Sequence, residues 1–129
     1  MAKPESLFSK EFVKNFPELI VTKIYNLSAH GTPDILAFHK QNQYWMTIEL
    51  KVTKKNIRLR LSPHQVSFHV RHKGAKSFIL IKHFLATCSL PSINLYEASQ
   101  VMQLVASDPK LQPLRVGYTA IKDYFNNIK

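Results

Sequence analysis

Residues 31–52, GTPDILAFHKQNQYWMTIELKV, decide the fold. Gly31-Thr32-Pro33-Asp34 has the composition of a turn, and Asp34 opens a short apolar strand from Ile35 to Phe38. His39-Lys40-Gln41-Asn42 then forms a hairpin loop into a longer strand, Gln43 to Val52. Side chains alternate across a strand, so Met46, Ile48, Leu50 and Val52 share one face and Trp45, Thr47, Glu49 and Lys51 the other. The first face is core; the second is left for chemistry or solvent.

Working outward, Glu5 to Phe16 carries Leu7, Phe8, Phe12 and Val13 near helical spacing, and Pro17 stops that helix near Asn15. Ile20 to Leu27 mixes β-branched and aromatic residues as a strand does. Downstream, Ser62-Pro63-His64-Gln65 is a helix start, with Ser62 as N-cap, Pro63 in the first turn and Gln65 placed for a capping box; Gly74 is the matching stop. Ser77 to Lys82 is an unbroken apolar run suited to a strand buried on both faces, and because it is reached from the third strand across a helix, a mixed sheet is expected. Ile93 to Tyr96 adds a short strand. Ala98 to Ala106 and Tyr118 to Ile128 add helices separated by Asp108-Pro109. The expected fold is α/β, a mixed sheet flanked by helices.

The chain has 129 residues, 45% of them hydrophobic, which is enough for a core of its own and excludes a disordered basic tail. No repeat, low-complexity tract or linker divides it, so 1–129 is expected to be one domain, with a core over about 5–82 and an extension over about 89–129. Cys88 is the only cysteine, excluding an internal disulfide and cysteine-rich zinc sites; its uncharged neighbours make it a packed or loop thiol. No apolar run is long enough for a bilayer span and no secretory signal is visible, so the expected location is the cytoplasm, or a host's cytoplasm for a viral chain.

Charge is the strongest compositional signal: 18 Lys and Arg against 8 Asp and Glu, a net +10. Between Ile35 and Tyr96 the only acidic residue is Glu49, in company with Lys40, Lys51, Lys54, Arg60 and other cations. Such a field favours a polyanionic partner, nucleic acid before membrane, because phosphate binding gains from counterion release.

Within that field Asp34 starts one strand and Glu49 and Lys51 lie at i, i+2 on the paired strand, so the three side chains can converge. Two close carboxylates repel unless a cation lies between them, and an oxygen-rich pair suits Mg²⁺, with Mn²⁺ as a substitute. A metal there polarises a phosphoryl oxygen and acidifies a water for attack on a phosphodiester. Lys51 can orient that water or stabilise charge on the transition state.

Gly31-x-Pro33-Asp34, then fourteen residues, then Glu49-x-Lys51, then Ser62-Pro63-x-Gln65 at a helix start, resembles the PD-(D/E)xK nuclease superfamily, closest to its VRR-NUC and Holliday-junction-resolvase-like branch and to small phage-type endonucleases. The resemblance spans roughly Glu5 to Lys82. It implies a restriction-endonuclease-like core of order αβββαβ and Mg²⁺-dependent phosphodiester hydrolysis, with DNA the expected substrate and RNA still open. It also implies metal ligation by Asp34, Glu49 and the Leu50 carbonyl, and a catalytic role for Lys51. An acidic residue on the first helix completes many such sites, here Glu5, with Glu11 as the alternative. A glutamine on the helix after the motif maps onto Gln65, where it competes with the capping-box role.

Lys54, Lys55, Arg58, Arg60 and His64 are expected to contact the DNA backbone. His69 and His72 lack the i, i+4 spacing of a helical zinc pair, and His30 reads as a surface turn residue. Tyr44 and Trp45 can stack on an unpaired base, although strand alternation makes at least one of them packing. The expected activity is structure-specific cleavage of branched or flapped DNA; sequence-specific duplex cleavage of the restriction or homing type, and a non-catalytic nucleic-acid-binding module, are the alternatives. Cutting both strands with one site per chain calls for a symmetric dimer or two sequential nicks, and a homodimer is expected.

Overall fold

The computed structural model describes residues 4–24, 31–54, 59–84 and 90–128. In chain order these form α1 (Pro4–Asn15), β1 (Leu19–Lys23), β2 (Ile35–His39), β3 (Tyr44–Lys54), α2 (Pro63–Arg71), β4 (Ser77–Phe84) and β5 (Ser92–Glu97). A 3-10 turn (Ala98–Gln100), α3 (Val101–Ala106), β6 (Arg115–Val116) and α4 (Tyr118–Asn126) follow. One six-stranded sheet runs β1-β2-β3-β4-β5-β6, antiparallel throughout except for the parallel β3–β4 pair that the crossover through α2 demands.

Helices cover both faces. On one, Met46, Ile48 and Leu50 of β3, Ile35 and Ala37 of β2 and Leu80 of β4 meet Phe8, Phe12 and Phe16 and, from α4, Ile121 and Phe125. The phenylalanines recur every four residues and define the buried stripe of α1, so Leu7 and Val13, expected in that stripe, flank it and stay exposed. Each buried ring contributes roughly 1.5–3 kcal/mol relative to an exposed one. Across the sheet, Ile79 and Ile81 of β4 and Tyr96 of β5 form a second core with Val101 and Leu104 of α3. β4 is therefore buried on both faces, as its unbroken apolar run requires.

The last third of the chain finishes both layers. Tyr44 donates its hydroxyl to the carbonyl of Phe125 at 2.6 Å, His39 Nε2 meets Asn126 Oδ1 at 2.8 Å, and Asn42 donates to the carbonyls of Asn126 and Ile128. The β2–β3 hairpin thus caps the C-terminal end of α4. Tyr44 is accordingly packing and only Trp45 is exposed. Some expected boundaries differ: β1 ends at Lys23, with residues 25–27 of the expected strand outside the described residues, β3 continues to Lys54 and β4 to Phe84. β6, too short to alternate, gives no sequence signal. Cys88 and His30 also lie outside the described residues.

Candidate active site

Asp34 immediately precedes β2, and its Oδ2 accepts the backbone N–H of Leu50 at 2.8 Å. Because Leu50 lies between Glu49 and Lys51, this bond sets the Asp34 carboxylate beside both. Glu49 lies on the face opposite the α1 side and is 1% exposed, so this face is not open to solvent here. Burial first, then hydrogen bonding to Asp34 and the charges of Asp34 and Glu5, push the Glu49 carboxyl far above the usual carboxylate range, against the opposing pull of Lys51. A buried acid held against a second acid favours either a shared proton or a cation.

The helix after β3 closes the site from above. Ser62 and Gln65 form the expected capping box: Ser62 Oγ accepts the Gln65 N–H at 3.1 Å, and Gln65 Oε1 accepts the Ser62 N–H at 2.9 Å. The same amide also donates from Nε2 to Glu49 Oε1 at 3.3 Å. The two roles set against each other in the sequence are compatible, one at each end of the amide.

Gly31 explains how α2 comes so close. It has φ +84°, and a Cβ at that position would lie 2.3 Å from the backbone oxygen of His64 and 2.9 Å from the backbone N of Gln65. Only a residue without a side chain lets the turn before Asp34 press on the first turn of α2. The contact links the Asp34 loop to the Gln65 helix, and sequence reading gave Gly31 no role beyond the motif.

On one side of the carboxylate pair is a recess of about 160 Å³ lined by Glu5, Ser6, Ser9, Lys23, Asp34 and Leu50. Glu5 therefore stands at the same opening as Asp34. Glu11 does not: it pairs with Lys82 at 2.6 Å and accepts the hydroxyl of Tyr118. Burial opposes its charged form, yet these bonds outweigh burial and hold its carboxyl below the usual range. On the other side a wider recess is lined by Lys51, Leu59, Arg60, Ser62 and Gln65. Lys54 is exposed at the end of β3, and His64 is exposed on α2 with its backbone against Gly31. Lys55 and Arg58 lie outside the described residues.

Among the described residues no three His, Cys, Asp or Glu side chains cluster closely enough to hold a metal. The donor set at the site is thus Asp34 and Glu49 with the backbone at Leu50, and Glu5 is at the rim. That set still fits Mg²⁺, which takes one or two carboxylates and keeps several waters. His69 is buried in α2, with Nδ1 3.5 Å from Ser77 Oγ and Nε2 without a hydrogen-bond partner among the described residues; burial, then the charge of His72, lower its pKa to about 4. His72 lies flat on Phe68, with ring centroids 4.0 Å apart. Both rings are held by neighbours other than Asp34 and Glu49, as packing residues are. No described helix is long and apolar enough to cross a membrane.

No protein-family model matches the sequence, and no curated protein matches it. Among solved structures, the chain is similar to Hjc, a Holliday junction resolvase of the archaeal hyperthermophile Archaeoglobus fulgidus, with a TM-score of 0.51 and 19% identity over 74% of this chain and 78% of that one. A VRR_NUC domain aligns with a TM-score of 0.48 and 21% identity over 83% of this chain and 99% of that one. At 19% identity the likeness to the resolvase is one of fold. This chain has that α/β architecture, a restriction-endonuclease-like mixed sheet flanked by four helices, and it carries Asp34, Glu49, Lys51 and Gln65 around one point of the sheet.

Proposed function

We propose that the chain is a Mg²⁺-dependent DNA endonuclease that hydrolyses phosphodiester bonds in branched or flapped DNA. The observation that carries this reading is the buried Glu49 carboxyl held against Asp34, with Lys51 two residues along the same strand face and Gln65 donating from above. A structural ion pair has no need of two adjacent acids, whereas a divalent cation does.

Asp34, Glu49 and the Leu50 carbonyl would hold Mg²⁺, with Mn²⁺ able to replace it. When bound, the metal supplies a Lewis acid toward the phosphoryl oxygen and lowers the pKa of water. Asp34 is kept in place by the Leu50 N–H, and Glu49 by the Gln65 amide. Lys51 carries positive charge to the same strand face, where it can hold the attacking water or offset negative charge on the transition state. Arg60 shares a recess with Lys51, and together with Lys54 and His64 it lies where backbone phosphates on either side of the scissile bond would be held. Glu5 would act from the rim.

Two cuts on a branched substrate come from paired sites in a homodimer or from two sequential nicks, and the homodimer is the form proposed here. The sheet face left open by α2 supports this. There Ile20 pairs across to Phe38 and Phe38 to Trp45, with the Phe38 and Trp45 rings 4.9 Å apart and Trp45 58% exposed.

The test is cleavage of end-labelled single strand, linear duplex, flap and four-way junction with Mg²⁺, Mn²⁺ or EDTA. Metal-dependent products strongest on flap or junction support the proposal. Binding without products under every metal contradicts it.

A further inference from the structure

Past Lys51, the same sheet face leads to a second feature that the chemistry above does not use. The open ends of β3, β4 and β5 surround a recess of about 250 Å³ whose polar lining is Thr53, His83, Asn94 and Tyr96, with Leu59 and Leu104 among its apolar walls. Strand alternation puts Thr53 on the face of Glu49 and Lys51, and the register sets it beside His83. At roughly 3.3 Å per residue, Thr53 is about 13 Å from Glu49. That is about four stacked nucleotides at 3.4 Å each, or fewer where a strand is stretched.

The polar groups are ordered and have hydrogen-bonding capacity left over. Thr53 Oγ1 meets His83 Nδ1 at 2.6 Å, and the His83 ring makes no other hydrogen bond among the described residues, leaving Nε2 for a ligand. Asn94 Oδ1 accepts the Ser92 hydroxyl at 2.8 Å, which fixes the amide at the recess wall, and Tyr96 lines the same recess two residues along β5. Fixed donors and acceptors on one side and aliphatic walls on the other match a flat heterocycle with a hydrogen-bonding edge. The volume is below the roughly 300–1,000 Å³ of sites for larger ligands, so it suits one ring system. Leu59 also borders the recess that holds Lys51 and Arg60, so a phosphate held there and a base held here would be joined through the same wall residue.

The geometry points to a base-binding pocket at Thr53, His83, Asn94 and Tyr96, which takes one unpaired nucleobase from the strand whose phosphate is held at Lys51. This inference rests on the nuclease reading and supplies its substrate preference. A base must leave its stack to enter, and that is easiest where DNA is already unpaired, at a flap, bulge or junction centre.

The experiment uses the full chain with flap and four-way-junction DNA carrying 2-aminopurine at one position at a time around the mapped cut, in EDTA so that nothing is hydrolysed. One position a few nucleotides from the cut should change in fluorescence on binding. Asn94→Leu should abolish that response, His83→Ala should weaken it, and affinity for these DNAs should fall roughly tenfold while linear-duplex affinity holds. Cleavage by the wild type with no responding position, or a response that survives both variants, overturns the pocket and leaves the nuclease standing. If no DNA is cut, the nuclease reading fails by itself, and deoxyadenosine and thymidine monophosphates titrated against the wild type by NMR decide the pocket. Shifts at His83 and Asn94 support it, and their absence overturns it. The fluorescence and NMR readouts on the wild type do not depend on either variant folding.

Discussion

Gln65 donates from Nε2 to Glu49 Oε1 at 3.3 Å while its Oε1 takes the backbone N–H of Ser62 at 2.9 Å. One amide therefore caps α2 and steadies the buried carboxyl beneath it. Separating the two roles is straightforward, because Glu at the third helical position also completes a capping box. Gln65→Glu should keep the melting temperature near that of the wild type but set a third acid against Glu49, and metal affinity or turnover should fall about 10–100-fold. Gln65→Ala should show the same loss of activity and also destabilise by about 0.3–1.5 kcal/mol. Thermal melts beside cleavage rates distinguish them; full activity in both would remove Gln65 from the site.

Gly31 should tolerate no side chain. Alanine there meets the His64 backbone at 2.3 Å and must hold φ near +84°, so Gly31→Ala should destabilise by about 1–3 kcal/mol and displace Asp34 and Gln65 together. Thermal unfolding and cleavage should both suffer, whereas alanine at Gly74, where a Cβ meets nothing within 4 Å among the described residues, brings only the backbone strain. Equal effects at the two glycines would contradict the close approach.

The Glu49 carboxyl gives the metal-free protein a signature in pH. Burial first, and then Asp34, push its pKa up to about 9, so the folded state binds this proton more tightly than the unfolded chain. The resulting stability is complete below the unfolded value of roughly 4.3 and is lost as pH rises toward 9. In EDTA the melting temperature of the wild type should therefore fall relative to Glu49→Gln as pH climbs from 5 to 9. Mg²⁺ should restore more of it at the alkaline end. Parallel melting curves for the two proteins would show that Glu49 does not carry the raised pKa.

Trp45 is the test of assembly. A dimer built on the Phe38–Trp45 face should sediment at about twice the 14.9 kDa of one chain, and Trp45→Glu should return it to the single-chain mass without lowering metal affinity. A wild-type chain that sediments as a monomer at working concentration contradicts the dimer.

What could be read from sequence was local. Alternation in β3, the Ser62-Pro63-x-Gln65 start of α2, the apolar run of β4 and the helical crossover between them all follow from backbone periodicity and capping chemistry within short segments. The spacing of Asp34, Glu49 and Lys51 was equally legible, because a hairpin brings its two strands together in a fixed register. The long-range contacts carried no such signal. Gly31 against α2, Gln65 reaching Glu49, and Lys82 and Tyr118 occupying Glu11 all depend on how layers dock after they form. Leu7 and Val13 misled for the same reason: hydrophobicity marks candidates for burial, but the spacing of Phe8, Phe12 and Phe16 decides which side of α1 meets the sheet.

The central claim is that Asp34 and Glu49 hold a catalytic metal, and one comparison tests it most directly. Glu49→Ala and the wild type are titrated with the same flap or junction DNA, with binding measured in EDTA and cleavage after Mg²⁺ is added. DNA affinity should remain within about threefold because the cationic surface is unchanged, while turnover should fall by roughly a thousandfold or more, as withdrawal of several kcal/mol of transition-state stabilisation requires. Cleavage by Glu49→Ala at the wild-type rate would contradict the account.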